Sequence, residues 1–333
     1  MPKDVLLVVD YLDSIDIETL CDYVYCIDGH GAANHGLFVG GVNASSTTVK
    51  TVQRARFDDS ASVVNNTNEL ITERRSLAGG STNTHAMIAG GETNSGITNL
   101  VEKIHMTDGA TTIGYTNNLD SAIRGHGSTG TPISCHFFGG STSGSTPIST
   151  IRSLQYDDTA VASIATNSLS IARNFTAATG NGLEGIVFEG EGTGGAAAPS
   201  TEKVLLSDGI ASVIVDHNLT DRRSKGDATS DGQSAIIAGG VNPSTGGEYN
   251  TVEKLRFDDL IDVLVLSNTL TNPGYYNHMI SSSTEGLCGG GVSNLRSVPV
   301  TDLQKIKFDD FISYICSHGL NVDIHDGVSV SGY

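Results

Sequence analysis

Residues 36–41 read GLFVGG, 86–91 AMIAGG and 135–140 CHFFGG; the run returns as GIVFEG at 185–190, AIIAGG at 235–240 and GLCGGG at 286–291. Each is a short apolar run closed by glycines. The pairs begin at 40, 90, 139, 189, 239 and 289, so the steps are 50, 49, 50, 50 and 50. In the fourth copy Glu189 stands where the first glycine of the pair is expected. A fixed period of this length marks a repeat architecture.

A second element follows each glycine pair by about ten residues. It reads TVQRARFDD at 51–59, LVEKIHMTD at 100–108, TIRSLQYDD at 150–158, TEKVLLSD at 201–208, TVEKLRFDD at 251–259 and DLQKIKFDD at 302–310. A large apolar residue sits two places before each closing aspartate: Phe57, Met106, Tyr156, Leu206, Phe257 and Phe308. A third element ends in Leu70, Leu119, Leu169, Leu219, Leu270 and Leu320. An arginine follows most of these leucines: Arg74 or Arg75, Arg124, Arg173, and Arg222 or Arg223. The fifth copy has Asn272, Pro273 and Gly274 instead.

Each copy has room for four strands near the usual length of five to six residues. In TVEKLRF, Val252, Lys254 and Arg256 fall on one face and Glu253, Leu255 and Phe257 on the other, as strand alternation requires. A sheet of this size cannot bury its faces alone, but it can when packed radially against its neighbours. Phe57, Leu255 and Phe308 are expected in the packing between sheets.

A period near 50 with a glycine pair after an apolar strand resembles the kelch repeat. The order of elements fits as well: Arg75 leads to AMIAGG, then LVEKIHMTD, then Leu119. The resemblance implies an all-β fold, a six-bladed kelch-like β-propeller with four-stranded blades of about 50 residues and terminal strands closing the ring. Two departures stand out. The chain has no Trp, and the third-strand Tyr occurs once, at Tyr156.

The resemblance covers about residues 22–320, the expected propeller. Residues 1–21 are expected to form an N-terminal strand or docking arm, and residues 321–333 a closing strand. Residues 22–28 (DYVYCID) and 327–332 (GVSVSG) both sit at first-strand positions and compete for one place.

The chain has 333 residues, of which 38% are hydrophobic and 17% charged, with 40 glycines and 7 prolines. Glycine without a three-residue period excludes collagen. The net charge of −18 makes nucleic acid and anionic membrane surfaces poor partners, since both are polyanions. No apolar stretch approaches the roughly 20 residues of a membrane helix. Residues 1–10 (MPKDVLLVVD) hold an apolar run too short for a signal-peptide core.

Chemistry-bearing residues are scattered. The closing aspartates Asp59, Asp108, Asp158, Asp208, Asp259 and Asp310 either cap a recurring turn or form an acidic ring suited to Ca²⁺. The turn explains six aspartates without a ligand. The ten histidines form no H-E-x-x-H or H-x-H pattern; His30 and His35 flank a glycine-rich loop. The cysteines at 21, 26, 135, 288 and 316 form no C-x-x-C pair and read as buried reduced thiols. GEGTGG at 190–195 lacks the Lys-Ser/Thr of a phosphate loop and reads as a hairpin. The arginines after the leucines could form structural pairs between blades with the recurring aspartates, a point the sequence leaves open. No catalytic, cofactor-binding or metal residue is singled out, and no cofactor is implied.

Ser/Thr/Gly-rich kelch-like repeats also resemble structural and tail proteins of tailed bacteriophages. That resemblance implies a non-enzymatic virion component of a tail or adsorption apparatus. Its partners would be other virion subunits and a host surface glycan or protein, within a homo- or hetero-oligomeric assembly and with no nucleic acid or membrane contact. The alternatives are a kelch-type carbohydrate-active enzyme and an intracellular protein-interaction module.

Overall fold

The computed structural model describes residues 35–331. Outside the description are 58–63, 66–68, 107–112, 115–116, 143–145, 158–162, 208–211, 216–218, 259–263, 266–268, 294–297, 300–302, 309–312, 316–327 and the single residues 44, 83 and 199. The expected arm at 1–21, the competing strand at 22–28 and all six closing aspartates therefore lie outside the described residues.

The described chain is all-β, built from six four-stranded antiparallel sheets and three two-stranded hairpins. In the second sheet the strands Ala78–Ser81, His85–Ala89, Val101–His105 and Ile113–Gly114 lie side by side in chain order. The third to sixth sheets repeat this order. The first sheet differs at its inner edge, where Val328–Ser331 pairs antiparallel with His35–Val39 and joins the two ends of the described chain.

The innermost strands touch in a cycle. Ala78–Ser81 contacts Gly127–Gly130, which contacts Ala178–Gly180; Asp227–Ser230, His278–Ser281 and Val328–Ser331 follow, and the last returns to Ala78–Ser81. Six apolar clusters fill the spaces between neighbouring sheets. Leu37, Val39 and Leu70 meet Ile88, Ile104 and Met106 between the first two sheets. Ala55 and Phe57 meet Ile280, Leu287 and Leu303 between the first and the sixth. Alternation within one strand serves two interfaces: Val252 packs toward the sixth sheet, with Phe308, and Leu255 and Phe257 toward the fourth. The expected core places of Phe57, Leu255 and Phe308 are those observed.

The glycine pairs turn the chain out of the second strand. Gly90 and Gly91 have φ of 62° and 97°, in the left-handed region that side chains disfavour. A Cβ on Gly90 would lie 2.6 Å from the Ile123 carbonyl and 2.7 Å from the His126 ring. The second glycine then donates to the next connector: Gly41 N to Arg74 O, Gly91 N to Ile123 O, Gly140 N to Arg173 O and Gly240 N to Gly274 O, each 2.8 Å. Two sequence expectations change here. In the sixth copy the turning pair is Gly290–Gly291, with φ of 70° and 93°, because Gly289 still belongs to the strand. In the fourth copy Glu189 supplies the link with its side chain, accepting a hydrogen bond from Arg223 N at 3.0 Å.

Candidate functional site

In the second to sixth sheets the connector entering the sheet is anchored from that sheet's third strand. Glu102 accepts hydrogen bonds from Ile71 N (2.6 Å) and Arg74 Nη2 (2.9 Å). Glu202 accepts from Ser170 N and Arg173, and Glu253 from Thr220 N and Arg223. Arg74, Arg173 and Arg223 are fully buried, and their guanidinium groups also reach main-chain carbonyls such as Gly90 O and Gly239 O. Burial pushes Arg74 and Arg173 below the ordinary arginine range, opposed by the glutamate beside each. The buried partners of these arginines are third-strand glutamates, whose carboxylates cap the connector turn and neutralise the arginine together; pairing with the closing aspartates lies outside the described residues.

Two further copies vary the pairing. Where the connector carries Ile123 instead of arginine, the third strand carries Arg152, which pairs with Asp120. Where it carries Gly274, the third strand carries Gln304, which accepts from Thr271 N at 2.6 Å. Arg75 and Arg124 do something else, converging on Glu92 at 3.2 and 2.5 Å. The lysine after this third-strand glutamate or glutamine forms a second tie. Lys103 donates to Tyr156 O, Lys203 to Phe257 O, Lys254 to Phe308 O and Lys305 to Phe57 O, each bond crossing to the next sheet.

Inside the cycle of innermost strands lies a cavity of about 160 Å³, lined by glycine, alanine, serine and threonine together with His126, Asp227 and His278. Side chains bridge its neighbouring strands. Ser128 Oγ donates to Gly79 O at 2.7 Å, and Asp227 Oδ2 accepts from Met279 N at 2.7 Å. His126 is buried, with its ring edge-on to Phe137. Burial first, then the Arg152 and Arg74 charges, pushes it down to about 3, so it is neutral at ordinary pH. Burial alone takes His136 down to about 4.

One mouth of this cavity is built on an unusual backbone. Six residues after each of the first five repeat leucines the chain is left-handed: Ser76 (φ 50°), Gly125 (61°), Phe175 (49°), Lys225 (58°) and Tyr276 (56°). The amides join in series, Tyr276 N to Lys225 O, Lys225 N to Phe175 O, Phe175 N to Gly125 O and Gly125 N to Ser76 O, at 2.6–3.0 Å. This backbone costs a residue with a Cβ about 1–2 kcal/mol. Four non-glycine residues occupy it, three of them large.

Those three form a cluster lining the mouth. Lys225 Nζ lies 5.1 Å from the Phe175 ring centre and 5.6 Å from that of Tyr276. The two rings are edge-on at 6.0 Å, and Tyr275 leans on Tyr276 at 5.2 Å. Lys225 also pairs with Glu191 at 2.9 Å. Phe175, Lys225 and Tyr276 are only partly buried. Glu191 comes from the GEGTGG stretch, which forms the expected hairpin: Gly190–Glu191 pairs with Ala197–Ala198 around a turn at Thr193–Gly195.

The sequence pointed to none of these rim residues. What recurs at their position is a backbone angle, carried by Ser, Gly, Phe, Lys and Tyr in turn. The distance from each leucine was the only signal available. Of the expected site elements, Cys135 and Cys288 are buried free thiols, and His35 Nε2 lies 2.5 Å from Met106 O. Among the described residues no group of His, Cys, Asp and Glu is placed to hold a metal, and no helix is long and apolar enough to cross a membrane.

No family model and no curated protein sequence matches the chain. Among solved structures, one titled "Structure of YjhT" is similar to it, with a TM-score of 0.67 over 86% of this chain and 98% of that one. The two share 12% sequence identity, so the likeness is one of fold alone.

Proposed function

We propose that the six sheets are the blades of a six-bladed kelch-like β-propeller. On this reading the chain is a non-enzymatic virion structural protein, a tail or host-adsorption component of a tailed bacteriophage. It works as a rigid platform for protein or glycan contacts, within an assembly of virion subunits. The observation that carries the reading is the pairing of Val328–Ser331 with His35–Val39, which completes the cycle of touching inner strands. In a closed cycle the inner strand edges are short and protected by one another, and each sheet is held between two neighbours, as a rigid platform needs.

The use of charge supports the same reading. The buried glutamates, arginines and lysines tie connector to strand and sheet to sheet, as structural groups do. The resemblance of the Ser/Thr/Gly-rich repeats to phage tail proteins supplies the virion setting. Immunogold labelling with an antibody to the recombinant protein tests it. Gold at one end of viral particles is the expected result; gold confined to cells, with particles clean, overturns the virion assignment.

A further inference from the structure

We infer that the rim formed by Phe175, Lys225 and Tyr276 is a binding site for the terminal residue of an uncharged carbohydrate. The inference rests on the platform reading above and names where and what that platform binds. Backbone economy is the first argument. Gly125 occupies the same position with φ of 61° and shows that glycine serves there. Phe175, Lys225 and Tyr276 hold it against the preference of their own backbone, with φ of 49°, 58° and 56°. Strain that glycine would relieve persists where the side chain has a task. These side chains line the cavity mouth, only partly buried, outside the apolar clusters between sheets.

The second argument is chemical. Partly exposed aromatic rings suit the C–H groups of a sugar, and the cavity behind them is lined by serine and threonine, strand backbone, Asp227 and His278. The Lys225 charge is matched by Glu191 at 2.9 Å, so the rim is locally neutral. A net charge of −18 disfavours an anionic ligand. The amide series from Tyr276 to Ser76 fixes the rim before any ligand arrives, which lowers the ordering cost of binding.

Phe175→Gly, Lys225→Gly and Tyr276→Gly test the site, because glycine takes the left-handed backbone without strain. Wild type and variants are applied to an array of neutral and acidic oligosaccharides, and each hit is titrated by calorimetry. The expected result is a neutral glycan whose affinity falls at least tenfold in the two aromatic variants, with melting temperatures held or raised. Saturation-transfer NMR on the wild type gives an independent readout, in which the bound sugar's C–H protons contact aromatic protons. A neutral glycan bound equally by all three variants overturns the site and leaves the platform reading standing. Retention of acidic glycans alone, or of no glycan, also overturns it. Labelled particles without glycan binding would separate the two failures.

Discussion

The ammonium of Lys305 donates a hydrogen bond to the carbonyl oxygen of Phe57 at 2.9 Å, joining the sixth sheet to the first across 248 residues of chain. The same ammonium pairs with Glu285 at 2.6 Å, and the lysine side chain is only 3% exposed. Its counterparts at Lys103, Lys203 and Lys254 make the same crossing between sheets adjacent in the chain. Lys305 alone among them connects the two ends of the described chain. Lys305→Met keeps the apolar stem but strands a carbonyl and a carboxylate. It is expected to cost about 2–4 kcal/mol. Urea unfolding measures this, and an unchanged midpoint would remove the tie from the closure argument.

Arg223 and Glu253 are fully buried against each other. Removing either partner leaves an uncompensated buried charge, so Arg223→Met and Glu253→Gln are each expected to cost about 3–5 kcal/mol. The double variant leaves no such charge, and the introduced glutamine can still accept from Thr220 N as Gln304 does from Thr271 N. It is expected to be more stable than the sum of the singles by ~2 kcal/mol or more. A double-mutant cycle in urea reads this directly. Strict additivity would mean that the two charges do not depend on one another.

How far these ties were legible follows from what repeats. The period, the apolar runs and the strand alternation are one-dimensional, so the six sheets and the core places of Phe57, Leu255 and Phe308 follow from spacing. The V-E-K triplets at 101–103 and 252–254 were equally visible. What they bond to was not, because the glutamate reaches some 30 residues back along the chain and the lysine some 50 residues forward. The arginines looked like partners for the aspartates because both recur. Only the fold shows that each third-strand glutamate lies against the connector arginine some 30 residues before it. The rim of Phe175, Lys225 and Tyr276 was hidden for a different reason: its common property is a φ angle, and no shared residue type encodes it.

Cys135 and Cys288 are buried in the apolar clusters between sheets. Desolvation pushes Cys288 up to about 12 and Cys135 higher still, so neither forms thiolate at pH 8. Both are expected to resist alkylation in the folded protein and to react fully in denaturant. Peptide mass spectrometry after a brief iodoacetamide pulse distinguishes the two states. Labelling of either cysteine in the native protein would contradict the packing described for its sheet.

Glu189 gives the fold a pH dependence of unusual sign. It stands in place of a turning glycine, and one carboxylate oxygen accepts from Arg223 N while the other is buried without a partner. Burial raises it to about 7; the Arg223 amide and the charges of Arg223 and Arg222 only partly oppose that, and Glu253 adds to it. Between about pH 4.5 and 7 the unfolded chain has ionised this group and the folded chain has not. The folded state therefore binds more protons, and the contribution of Glu189 to stability is lost as pH rises through 7. His126 and His136 act the other way. Held neutral down to about 3 and 4, they contribute stability above the ordinary histidine range that is lost as pH falls. Glu189→Gln removes the first effect and leaves the second. Relative to wild type, the variant is expected to gain up to ~3 kcal/mol between pH 4.5 and 8. Urea titrations of both proteins at pH 5 and pH 8 measure the gain. Parallel stability curves would show that Glu189 ionises in the fold as it does in the unfolded chain.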